Sequence, residues 1–92
     1  MLTDVVKSGP DESLRMEAAR NLEPLRTDPR AGEVLRAAAA ADPSAYVRLA
    51  ALHALRGASD PSLPAVLETI AARDRDAGVR ILAKQLLADM RR

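Results

Sequence analysis

Three windows of this chain superpose without a gap: Leu14-Arg15-Met16-Glu17-Ala18-Ala19-Arg20-Asn21-Leu22, Val47-Arg48-Leu49-Ala50-Ala51-Leu52-His53-Ala54-Leu55 and Val79-Arg80-Ile81-Leu82-Ala83-Lys84-Gln85-Leu86-Leu87. Each reads aliphatic, Arg, x, x, Ala, x, x, x, Leu. Arg15 and Arg48 stand 33 residues apart, Arg48 and Arg80 32. A period of that length marks stacked supersecondary units, because a single helix pair cannot bury its own apolar face and needs a copy of itself alongside.

The segments between the windows repeat as well. Asp28-Pro29-Arg30-Ala31-Gly32-Glu33-Val34-Leu35 aligns with Asp60-Pro61-Ser62-Leu63-Pro64-Ala65-Val66-Leu67 at an offset of 32, and the register holds until Asp42 meets Asp74. The unit is therefore a pair of helices. In both copies Asp-Pro is expected to open the first helix: Asp caps free backbone N–H groups, and Pro at the first helical position lacks only an N–H with no intrahelical partner. Asp42-Pro43-Ser44 and Asp74-Arg75-Asp76 separate the paired helices, and Gly57-Ala58-Ser59-Asp60 leads from one pair to the next. Helices are expected at 2–8, 11–25, 30–41, 44–57, 61–73 and 76–91. They form one domain over 1–92, with a partial repeat 1–26 and repeats 27–58 and 59–92.

At about 100° per residue, an inward stripe follows for each second helix: Leu14, Ala18, Asn21 and Leu22; Val47, Ala50, Ala51, Ala54 and Leu55; Val79, Leu82, Ala83, Leu86 and Leu87. The first helices offer Val34, Leu35, Ala38 and Ala41, then Leu63, Val66, Leu67 and Ile70. Ala and Leu dominate these stripes, and Tyr46 is the one aromatic residue. Close-packed but small side chains bury little area each, so a short stack of this kind is moderately stable.

The stretch DPSAYVRLAALHAL followed by DPSLPAVLETIAARDRDAGVRILAKQLL resembles the short HEAT-like repeats found in phycobilisome lyase subunits and many bacterial proteins. The resemblance covers nearly the whole chain, about two and a half to three repeats, and the spacing of Asp42 to Arg48 and Asp74 to Arg80 carries it. It implies an all-α fold, a right-handed α-solenoid of antiparallel helix pairs whose second helices line a concave, macromolecule-binding face. It also implies that Arg15, Arg48 and Arg80 form a structural ladder with Asp42 and Asp74 between neighbouring repeats, each charge-assisted contact contributing about 1.5–3 kcal/mol where partly buried. Lyase activity is not implied, since one fold carries unrelated functions. In the first copy Gly9 replaces the ladder Asp, so the N-terminal edge is expected to be a cap or a cut edge.

Chemistry for an enzyme is not visible. His53, the only histidine, lies on the polar side of its helix without a second ligand, and the His-Glu pairs of metal-binding HEAT-like hydroxylases are absent. The serines sit at helix starts and in loops, where capping accounts for them, and paired acids such as Asp74 and Asp76 sit in first turns, where the helix dipole favours them. The expectation is no catalytic residue, no metal and no cofactor. Zero Cys removes disulfides and thiolate chemistry, no stretch approaches the roughly 20 apolar residues of a membrane span, and a cytoplasmic location is the expected one. With 14 basic and 13 acidic residues the net charge is +1, so bulk electrostatics argue for neither nucleic acid nor membrane.

One feature stands outside the inward stripes. Met16, Leu49 and Ile81 share a repeat position about 200° from the inward reference, with Leu52 at about 140°, and Arg20, His53, Arg56, Lys84 and Gln85 flank them. An exposed apolar row with a polar rim is the pattern of a partner surface. The expected function is a non-catalytic protein-interaction or scaffold module that holds a partner helix or peptide on its concave face, with a homodimer as another use of the same row. The alternatives are nucleic-acid backbone binding through Arg20, Arg48, Arg56, Arg80 and Lys84, against which 13 acids and the lack of an aromatic base platform count, and an auxiliary role in chromophore attachment by family analogy.

Overall fold

The computed structural model describes residues 11–91. The elements are α1 (Glu12–Asn21), a short 3-10 turn (Glu23–Leu25), α2 (Pro29–Ala41), α3 (Ala45–Ala54), α4 (Leu63–Arg73) and α5 (Ala77–Met90). No strand occurs among the described residues. Two helical hairpins, α2–α3 and α4–α5, stack side by side, and α1 packs against α3. The result is a short helical solenoid in two layers, with α1, α3 and α5 in one and α2 and α4 in the other. The expected 2–8 helix and the Gly9 edge lie outside the described residues.

Helix boundaries follow from caps and prolines. Asp11, Asp28, Ser44 and Asp76 each accept a backbone N–H of the turn they precede, from Ser13, Arg30, Val47 and Val79 respectively, which satisfies donors that have no intrahelical partner. The helix expected over 11–25 stops at Asn21 and continues as the 3-10 turn, because Pro24 has no N–H to give to Arg20 and its ring would strike that carbonyl. Asp60-Pro61 does not open α4, which starts at Leu63. Were Pro61 the first helical residue, Pro64 would fall in the second turn, where its missing N–H and its ring break the helix; starting at Leu63 puts Pro64 at a tolerated position. Asp60 instead accepts the N–H and the hydroxyl of Ser62. The link after α3 turns at Gly57, whose φ of 78° is left-handed and costs a residue without Cβ little.

The core is a seam of small and branched aliphatics between the layers. Leu35, Val47, Leu52, Leu55, Leu63, Leu67 and Val79 are its largest fully buried members, and Ala18, Ala19, Ala39, Ala51 and Ala83 let the helix backbones approach closely. Three residues assigned to the inward stripe are exposed. Leu14 is 49% exposed although its repeat equivalents Val47 and Val79 are fully buried, because those two face the first helix of their own pair and no described helix lies on that side of α1. Asn21 and Ala41 are the last residues of their helices, and both are exposed although the next residues, Leu22 and Asp42, are buried.

The repeats are registered by an Arg–Asp ladder. Arg15 grips Asp42 with two parallel bonds, Nε to Oδ2 at 3.0 Å and Nη2 to Oδ1 at 3.2 Å; Arg48 grips Asp74 in the same way at 2.9 and 3.1 Å. The third guanidinium nitrogen reaches backwards: Arg48 Nη1 donates to the carbonyl of Asp42 at 2.8 Å and Arg80 Nη1 to that of Asp74 at 2.6 Å. Each Asp also closes the turn between its own two helices, Asp42 accepting the N–H of Ser44 and Asp74 that of Asp76. One residue thus joins turn, preceding repeat and following helix. On the outer layer Arg36 of α2 pairs with Asp60, in the link that precedes α4.

Burial works against ionising Asp74, but the Asp76 N–H and the Arg48 guanidinium, helped by nearby Arg75, outweigh it and hold the carboxyl below its ordinary range. The hydrogen bond to Asp42, against partial desolvation, raises the Arg15 guanidinium further. Because the folded carboxyl of Asp74 titrates below the unfolded one, its contribution is complete above the ordinary pKa of about 3.9 and is lost as pH falls through the folded value. Arg48→Ala is expected to lower stability at pH 7 by about 3 kcal/mol, since it leaves a buried carboxylate without its cation. The gap between mutant and parent should narrow as the pH is taken well below about 3.9. Denaturant melts at several pH values read both, and equal curves at pH 7 would contradict the ladder's role.

Candidate functional site

The outward surface of the α1–α3–α5 layer carries the candidate site. A groove of about 410 Å³ runs over α1 and α3, lined by Met16, Arg20, Glu23, Tyr46, Leu49, Ala50 and His53. Its floor is apolar: Met16 and Leu49 are half-buried and rest on the core. Its rim is polar, with Arg20 and Glu23 at one side and His53 at the other, all exposed. The surface is fixed from beneath, since Arg15 and Arg48, each one residue before Met16 and Leu49, are locked into the ladder.

The structure groups some of the expected residues and separates others. Met16, Leu49, Arg20 and His53 meet in the groove. Ile81 continues the row on α5 and is 64% exposed. Lys84 is exposed on α5, and Arg56 lies at the far end of α3, lining a different, apolar hollow of about 300 Å³ with Leu55, Leu63, Leu67, Leu86 and Met90. Leu52 does not belong to the row: it is fully buried. The middle helix α3 is flanked by α1, α2 and α5, so its covered arc is wider than that of an isolated hairpin. Its repeat equivalent Ala19 is likewise fully buried, whereas the equivalent on α5 is Lys84.

Tyr46 is the groove residue that the repeat comparison passed over. It is 63% exposed and stands one turn before Leu49 and two before His53, an i, i+3, i+7 series on one helix face. The repeat alignment hides it, because its equivalents are Ser13 and Gly78 and a comparison of rows rewards only what recurs. An exposed aromatic ring with a hydroxyl beside apolar side chains is a common anchor in protein interfaces.

No cluster of three or more His, Cys, Asp or Glu able to hold a metal ion is present among the described residues. No helix among them is long and apolar enough to cross a membrane. The groove therefore offers shape, an apolar floor and hydrogen-bonding groups at its edge.

The row and the core respond differently to charge. Ile81→Glu is expected to change folding stability by less than about 0.5 kcal/mol, as for an exposed position, and Leu49→Glu to cost about 1 kcal/mol because part of Leu49 rests on the core. Ala51→Glu, at a position with no exposure, is expected to cost several kcal/mol by desolvation. Thermal melts of the three variants order them; an Ile81→Glu protein as damaged as Ala51→Glu would make the row part of the core.

The HEAT repeats family model matches residues 1–88. No curated protein and no solved structure matches the chain. Stacked helical hairpins, the recurring Asp and Arg of the ladder and a match over nearly the full length lead to one conclusion: the chain belongs to the HEAT-repeat family.

Proposed function

We propose that this chain is a non-catalytic interaction module that holds a helix or extended peptide of a partner protein along the α1–α3–α5 surface. HEAT repeats as a class mediate protein–protein contact and scaffolding, and HEAT-repeat proteins are typically non-catalytic. The observation that carries the finer reading is the groove itself: Met16 and Leu49 give a half-buried apolar floor, Tyr46 an exposed ring, and Arg20, Glu23 and His53 a polar edge. Ile81 extends the floor onto α5. Apolar centre and polar rim are how docking surfaces exclude water while keeping register.

The groove's residues act by burial and orientation. A partner side chain placed over Leu49 removes that residue and Tyr46 from water together, and the Tyr46 hydroxyl, Arg20 and His53 supply hydrogen bonds around it. Phosphate binding is the weaker use of the surface, because Arg48 is 5% exposed and all three of its guanidinium nitrogens are spent within the protein.

The test uses the whole chain as bait in extract of its source cells, beside Tyr46→Ala, Ile81→Glu and an outer-layer control, Ala72→Glu. A partner that is captured by the parent is then purified and its affinity measured. Tyr46→Ala and Ile81→Glu are expected to weaken binding by about thirtyfold, roughly 2 kcal/mol at a centrally placed contact, and Ala72→Glu to leave it unchanged. Capture unaffected by the groove variants contradicts the reading. So does tight binding of labelled duplex DNA that falls steeply with salt, the signature of phosphate contacts.

A further inference from the structure

The groove over α1 and α3 owes its depth to one small residue. Two positions after the ladder arginine, α3 has Ala50 where α5 has Leu82 and α1 has Glu17. Leu82 is buried in the core and Glu17 is exposed. Ala50 is 5% exposed and lines the groove with Met16 of one helix and Leu49 of the other. A side chain that ends at Cβ leaves room there that a leucine would occupy. The hollow lies between two helices already packed on each other. It opens on neither of the sides to which a further helix pair would stack, so it does not depend on where the stack begins or ends.

The edge adds a charge pattern. Arg20 shares its repeat position with His53, three residues beyond Ala50, and Glu23 follows Arg20 by another three. Both are exposed, and neither enters an ion pair among the described residues. Tyr46 stands four residues before Ala50. The hollow therefore has an aromatic ring one turn to one side, a cation one turn to the other and an anion a turn beyond the cation. A partner helix advances about 5.4 Å per turn and keeps step with these groups. A strand advances about 6.8 Å per two residues and falls out of step.

We propose that the groove takes an amphipathic helix of a partner protein, laid along the valley between α1 and α3, which seats one leucine-sized side chain on Ala50. One turn to one side the helix sets a second apolar side chain against Tyr46. On the other side it sets an acid against Arg20 and, a turn further, a base against Glu23. On the partner these four residues follow one another at steps of three or four and so share one helix face. The proposal rests on the docking reading of the groove given above and specifies the occupant. Apolar burial holds the helix, and the opposed charges fix its register, because exposed ion pairs add little affinity but disfavour the wrong alignment.

The probes are Ala-based peptides of about 20 residues, long enough to be helical in water. Each carries two Leu three apart, a Glu four beyond the second Leu and a Lys three beyond the Glu, and the pattern is made in both chain directions because the spacings read the same either way. They are titrated into the isotope-labelled whole chain, with binding followed by nuclear magnetic resonance at the amides of Leu49, Ala50 and His53. One direction is expected to bind at those amides, and replacing its second Leu by Ala to weaken binding about tenfold. Ala50→Leu, which puts on α3 the side chain that α5 already carries, is expected to weaken it to the same degree. Arg20→Glu is expected to weaken it about threefold, and a peptide with Lys in place of Glu to recover that loss. If Ala50→Leu disturbs folding, the peptide's own Leu→Ala replacement and the charge exchange at Arg20 decide. No binding of either peptide at those amides overturns the proposed occupant, whereas the capture experiment with Tyr46→Ala decides the broader docking reading separately. Binding indifferent to the second Leu, or to the exchange of charges at Arg20, overturns it as well.

Discussion

The bidentate grip of an arginine on the aspartate of the next repeat is the interaction on which the remainder of this structure depends. The side chains of Arg48 and Asp74 are each only 5% exposed, a setting in which an unpaired charge would be very unfavourable. The cost is met by completeness: the Asp74 carboxylate receives two bonds from Arg48 and one from the Asp76 N–H, while the remaining Arg48 nitrogen is taken by the Asp42 carbonyl. Such a pair adds little stability over an apolar replacement, but it admits one geometry only. A stack of Ala-rich helices, whose smooth surfaces tolerate sliding, gains its register from that requirement.

Register then determines the surface. Because Arg15 and Arg48 are fixed, the residues that follow them, Met16 and Leu49, are set side by side in the groove over α1 and α3, and Tyr46 and His53 fall in line with Leu49 along its helix. The small core residues bring the helices close enough that the floor of the groove rests on buried alanines. The same repeat geometry holds Arg80 by its bond to the Asp74 carbonyl. The groove is thus a consequence of how the repeats are locked together.

Much of this was legible in the sequence. The offset of 32 or 33 residues gave hairpins and their order, and the positions of Asp42, Arg48, Asp74 and Arg80 pointed through family resemblance to a ladder. Three things were not legible from a single helical wheel. Leu52 looked like part of the outer row because an angle around one helix says nothing of the neighbouring repeat, which buries it. Leu14 looked buried because its equivalents are, although the helix that covers them has no described counterpart beside α1. Tyr46 stood out of the pattern because it recurs in neither other copy. Pro24 and Pro64 were readable in principle: each shifts a helix boundary by the loss of one N–H, a local rule that the repeat alignment overrode.

The central claim is that the ladder couples adjacent repeats, and a double-mutant cycle measures that coupling directly. Stability would be determined for the parent, Arg48→Ala, Asp74→Ala and the double variant by chemical denaturation at pH 7. The account predicts that the double variant is less destabilised than the sum of the single ones, with a coupling of at least about 1 kcal/mol. Additive effects, with a coupling indistinguishable from zero, would contradict it.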